Sequence, residues 1–203
     1  MPKIKITKKK VDDIALPPIG SQVFYRDTEL SGFGLRVSAG GTKTYILETR
    51  IDGKSKRITI GKHGPLTSEQ ARKQALKLLG EVATGIDPIA EKRNRKINAI
   101  TLDNAYKDYL QSRKNLKPAT LHDYNRCIQL ALKSWLNKPI TSITKDMVED
   151  RHRELGKSSP ARANNTMRVL RAVLNFSIER YEKANGDPVL MYNPVDRLSK
   201  TRA

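Results

Sequence analysis

The 203-residue chain has one cysteine, Cys127, and three histidines, His63, His122 and His152. A single thiol excludes a disulfide within the chain and a cysteine-based zinc cluster, and it fits a reducing compartment. The histidines have no metal-ligand spacing. No glycine-rich run matches a phosphate-binding loop, and the glycines at 32, 34, 40 and 41 read as turn residues. Serine, threonine and tyrosine are plentiful, but no local base or electrophile clamp activates one as a nucleophile. No apolar run approaches the roughly 18 residues of a membrane span. The N-terminal MPKIKITKKK lacks the apolar stretch of a signal peptide. There is no internal repeat. These absences point to a cytoplasmic binding protein without cofactor, metal or membrane partner.

What is abundant is positive charge. The formal net charge is +18, with 39 basic against 21 acidic residues. Twenty basic and ten acidic residues lie up to residue 96, nineteen and eleven beyond it, so the excess is not confined to a tail. Such a balance favours a polyanion, nucleic acid before acidic lipid. Aromatics are only 5%, too few for the stacking platforms expected of a single-stranded RNA binder.

Residues 1 to about 20 read as a basic, partly ordered arm. Strands are expected at 22–27, 34–39, 42–51 and 54–61. Asp52-Gly53 is a two-residue hairpin signal, because both turn positions need positive φ. That turn sets Ile51 against Lys54, Leu47 against Ile58 and Tyr45 against Ile60. One face is then apolar; the other carries Thr44, Glu48, Arg50, Ser55, Arg57 and Thr59. A three-residue loop, Ala39-Gly40-Gly41, sets Leu35 against Tyr45 and Arg36 against Thr44. Thr67 to Gln70 is a capping box that opens a helix with Ala71, Ala75, Leu78, Leu79 and Val82 on one stripe; Gly85 ends it. The helix covers the apolar sheet face and leaves the other open. Residues 90–98 are polar and read as a linker, with a helical extension as the alternative.

From Thr101 the pattern is helical. A second helix from Pro118 places Leu121, Tyr124, Ile128, Ala131 and Trp135 inward. A shorter one follows Thr144, and a long one runs from Ser159-Pro160 to Gly186 with Ala163, Met167, Leu170, Leu174, Ile178 and Tyr181 inward. The fold class is therefore α+β: a small three- to four-stranded antiparallel sheet with one helix, then an all-α four-helix bundle. Two polar stripes free of carboxylates stand out. One holds His122, Arg126, Gln129 and Lys133; the other holds Asn164, Arg168, Arg171 and Asn175, with Arg162 and Asn165 beside it. Arg and Lys meet phosphates, and Arg, Asn and Gln also read base edges. The bland alternative is two solvated helix faces.

Residues 25–88 closely resemble the arm-type DNA-binding domain of phage and genomic-island integrases. The resemblance rests on GFGLRV, GTKTY, the DGK hairpin, RITIG, the EQAR helix start and GIDP, in that order. Residues 101–197 more loosely resemble the SAM-like core-binding domain of tyrosine recombinases. The resemblance implies arm DNA binding by 1–88, a linker at 89–100, core-site binding by 101–197 and the start of a further linker at 198–203. It implies that the sheet enters a major groove; the strand register puts Arg36, Thr44, Arg50, Arg57 and Thr59 on the face expected to do so, with Lys54 near the hairpin tip on phosphate. An ion pair with Glu48 is the plain alternative for Arg57. It further implies a C-terminal cleaving domain with a His-x-x-Arg pair and a tyrosine nucleophile. No His-x-x-Arg occurs here, so no catalytic residue is carried over, and the chain is expected to be an inactive N-terminal fragment. The implied partners are double-stranded attachment-site DNA, further protomers on that DNA, and accessory DNA-bending proteins. The rival is a non-catalytic architectural or regulatory DNA-binding protein built from the same two domains.

Overall fold

The computed structural model describes residues 2–200. The chain divides into two compact units, Met1–Ile89 and Ala90–Ala203.

The first unit is a five-stranded mixed sheet in chain order: β1 (Lys3–Ile4), β2 (Gln22–Asp27), β3 (Phe33–Ser38), β4 (Lys43–Ile51) and β5 (Lys54–Lys62). β1 runs parallel to β2, and the other pairs are antiparallel. The α+β class holds, with one strand more than the sequence suggests. The extra strand, and a short helix α1 (Lys8–Asp12), come from the segment expected to be a loose arm. Ile6 and Val11 anchor it, fully buried in the sheet's core. Two strand residues and five helical ones among lysines are too few to show a period.

The hairpin register forms as its turn dictates. Asp52 and Gly53 take φ of 51° and 73°, Ile51 pairs with Lys54, and Leu47 pairs with Ile58. At the β3–β4 loop, Ser38 N donates to Thr42 O at 3.0 Å and Gly41 has φ of 80°. Leu35 accordingly faces Tyr45, and Arg36 faces Thr44. One pairing differs: Tyr45 faces Gly61, not Ile60, because the register shifts between Tyr45 and Ile46 and leaves Ile60 as a bulged extra residue. Beyond the bulge the faces of β5 exchange, so Lys62 lies opposite Thr44 on the open side.

Helix α2 (Ser68–Ala83) covers the other side. Its capping box is complete: Gln70 N donates to Thr67 Oγ1 at 3.2 Å, and Thr67 N donates to Gln70 Oε1 at 3.0 Å. Ala71 and Ala75 are buried against Phe33, Leu35, Tyr45 and Leu47. A small residue at each contact lets the helix sit close to the sheet.

The second unit is helical: α3 (Pro88–Asn98, which opens at the unit boundary), α4 (Leu102–Ser112), α5 (Pro118–Asn125), α6 (Lys145–Gly156), α7 (Pro160–Arg180) and α8 (Asp196–Lys200). Segment 90–98 takes the helical alternative. α5 continues into a π-helical turn, Arg126–Ala131, and a 3-10 turn, Lys133–Trp135. The wider turn changes the phase, and Cys127 and Leu132 enter the core; upstream of it, Leu121, expected inward, is exposed. α7 stops at Arg180, before the expected Gly186. Val189 N donates to Tyr181 O at 2.8 Å and Gly186, at φ 87°, makes the turn between them. Leu198, in the stretch read as a linker start, is buried in the helical core; 201–203 lie outside the described residues. Among the described residues no helix is long and apolar enough to cross a membrane.

Candidate nucleic-acid interface

Alternation and pairing put Phe24 and Arg26 of β2, Arg36 of β3, Thr44, Ile46, Glu48 and Arg50 of β4, and Ser55, Arg57, Thr59 and Lys62 of β5 on the face away from α2. All the arm-side candidates fall on or beside it. Arg50, Lys54, Arg57 and Thr59 are exposed, and Arg36 is half-buried. Thr44 is on the correct face but only 3% exposed, which leaves little of it for a ligand. Lys43 points inward, as its register requires, and donates from Nζ to the carbonyls of Val11 at 2.6 Å and Asp12 at 2.9 Å. It therefore ties down the end of α1.

Arg57 is engaged within the sheet. Its Nε and Nη2 donate to Glu48 Oε1 at 2.9 and 2.6 Å, and its guanidinium carbon lies 4.2 Å from the centre of the Phe24 ring. Glu48 is held on its other side by Arg26, whose Nη2 donates to Oε2 at 3.3 Å. The bond from Arg57 holds the Glu48 carboxyl below the usual carboxylate range, and partial burial opposes that effect. The ion-pair alternative for Arg57 is thus realised, with an aromatic stack added.

In the helical unit the two stripes are less free than the sequence suggests. Carboxylates from outside the stripes reach them. Gln129 Nε2 donates to Asp103 Oδ1 at 3.1 Å. Asn165 Nδ2 donates to both oxygens of Asp123, at 3.0 and 2.9 Å, and its Oδ1 accepts from Arg168 Nη2 at 2.7 Å. Arg171 donates to Val195 O, to Ser199 Oγ at 2.7 Å, and pairs with Asp196, so it fastens α8 to α7. His122, Arg126, Lys133, Arg162, Asn164 and Arg168 remain exposed. His152 of α6, absent from either stripe, joins Asn164 at 2.8 Å between Nε2 and Oδ1. These two, with Arg168, line an open hollow of about 490 Å³.

The Arm DNA-binding domain family matches residues 6–95. The N-terminal unit is an Arm DNA-binding domain. Over 96 residues, 45% of its length, it is 32% identical to prophage integrase IntS of Escherichia coli (strain K12) and 32% identical to the integrase of Shigella phage Sf6, covering 24% of each. Over 88% of its length it is 25% identical to prophage integrase IntF of Escherichia coli (strain K12), of which it covers 45%. It thus spans from 24% to 45% of the length of these integrases. In the arm domain, sequence reasoning missed Phe24, Arg26 and Lys62 on the open face. Strand alternation from the β2–β3 pairing would have found the first two. Lys62 was hidden by the bulge, for which β5 carries no sequence mark.

Proposed function

We propose that this chain binds duplex DNA sequence-specifically as part of a site-specific recombinase of the tyrosine class. On this reading the arm domain recognises arm-type sites by laying its open sheet face in a major groove. Arg36, Arg50 and Arg57 would address bases there, and Lys54 and Lys62 phosphates. The helical unit would meet core-type DNA through His122, Arg126, Lys133, Arg162, Asn164 and Arg168. Gln129, Asn165 and Arg171 would organise that surface rather than touch DNA. Self-association on the attachment site, accessory DNA-bending proteins and a place at the nucleoid belong to the same proposal.

The observation that carries it is the open sheet face. Its cations come from four strands in one register, and it holds a single carboxylate among the paired residues of β2 to β5. The test is a titration of duplex attachment-site DNA at several salt concentrations. The double variant Arg36→Ala/Arg50→Ala is expected to bind at least about tenfold more weakly, with a shallower dependence of log affinity on log salt. Unchanged affinity and slope would remove the sheet face from the interface.

A further inference from the structure

The lone carboxylate on the open face calls for a local reason, because a negative charge on a surface that meets phosphate weakens binding. Glu48 uses one oxygen to accept the Nε/Nη2 edge of Arg57, and the other to accept from Arg26. The Phe24 ring lies against one side of the same guanidinium. On the diagonal from Glu48 on β4 to Phe24 on β2, the intervening strand presents Gly34, beside Ile46 and Arg26, so β3 adds no side chain under the reach of Arg57 across the sheet. A Cβ at Gly34 would stand 2.7 Å from Tyr25 O and 3.5 Å from Ile46 Cγ1. Two restraints, an edge-on ion pair and a stack, thus fix the plane of the guanidinium. They leave its other edge, Nη1 with the second hydrogen of Nη2, without an acceptor among the described residues. Two parallel donors on that edge match the O6 and N7 acceptors that guanine shows in the major groove.

We propose that Glu48 is a positioning residue for sequence selection: it presets Arg57 to read one guanine of the bound duplex. This rests on the open sheet face being the DNA-binding surface. A free arginine would swing between phosphates and bases and would gain affinity without selectivity. A preset one loses less side-chain freedom on binding and penalises the wrong base by leaving its donors unpaired.

The test uses the full 203-residue chain with a randomised duplex pool, followed by titrations of the selected duplex, a scrambled one, and one whose selected guanine lacks N7. The unaltered chain is expected to prefer guanine at one position by about tenfold or more, and to lose that preference with the N7-deficient base. Glu48→Gln is expected to lose most of the preference while binding the scrambled duplex as tightly or more tightly. Arg57→Lys is expected to keep the salt slope and lose the preference. If Glu48→Gln selects the same guanine, or weakens on every duplex alike with its melting unchanged, Glu48 is structural and the proposal fails. Guanine selection retained by Arg57→Lys overturns it equally, even if Glu48→Gln does not fold. Binding by the unaltered chain without guanine selection overturns this inference alone; no binding to any duplex overturns the proposed function and the inference with it.

Discussion

Asp27 has no exposed side-chain surface, yet both of its oxygens are occupied. Oδ1 accepts from Ile6 N at 2.8 Å and Arg72 Nη2 at 3.0 Å; Oδ2 accepts from Leu30 N at 3.0 Å and Arg72 Nε at 3.2 Å. One carboxylate thus joins the N-terminal segment, the β2–β3 loop and α2. Removing its cation would leave a buried charge with two amide donors only. Arg72→Met is therefore expected to destabilise the arm domain by about 3 kcal/mol, read from hydrogen exchange of the β2–β4 amides. A loss under about 1 kcal/mol would show that the amides alone suffice. Asp27 and Arg72 stand 45 residues apart, and nothing local in either stretch marks the pair. The contrast with Arg57 and Glu48 is instructive. That pair follows from the Asp52-Gly53 turn alone, since a two-residue hairpin assigns the cross-strand partners up to the bulge at Ile60. What the turn could not supply was Phe24 and Arg26, because they arrive from β2, across the sheet.

Helix α5 of the helical unit shows where periodicity stops being informative. α5 is α-helical to Asn125, and the next turn widens. Arg151 of α6 donates from Nε to Ala131 O at 3.0 Å, satisfying a carbonyl that the irregular turn would otherwise strand. An α-helical reading places Ala131 inward. The structure instead buries Leu132 completely and leaves Leu130 68% exposed. Leu132→Ala is accordingly expected to cost about 2–5 kcal/mol, and Leu130→Ser to change stability by no more than about 0.5 kcal/mol, both from denaturant unfolding. Equal costs would place the phase change elsewhere. The sheet has a counterpart in the bulge at Ile60, which turns Lys62 to the open face. Both irregularities insert one residue into a regular element and shift which residues face the core beyond it. A period-based reading carries no warning of either, since the inserted residues are ordinary for their element. α2, by contrast, was legible from cap to stop: its capping box, alanine stripe and Gly85 are local signals that tertiary contacts reinforce.

Across the molecule, charge and buried tyrosines set the response to solution conditions. In the helical unit burial pushes the Tyr106 hydroxyl up to about 12, and it raises that of Tyr181, whose bond to Asp108 at 2.6 Å adds to the effect. A raised pKa in an acid means that the folded state favours the neutral form. Stability is then fully present below about pH 10, the unfolded value, and is lost as pH rises toward 12 and beyond. An alkaline titration is expected to show part of the tyrosinate absorbance lagging and then appearing together with loss of helix. Ionisation of all seven tyrosines near pH 10 with helix intact would contradict the burial. The sequence by itself determined the α+β order of the elements, the hairpin register, the capped helix and a basic excess in both halves, because each of these is written in near-neighbour chemistry: turn residues, alternation, caps and charge counts. Only the tertiary structure decided which candidate side chains are free. Asp103, Asp123 and Asp196 converge on residues of the two helical stripes, and Arg57 is held by Glu48 and Phe24. Whether a polar group faces solvent or a partner depends on contacts between segments far apart in sequence, and those exist only once the chain has packed.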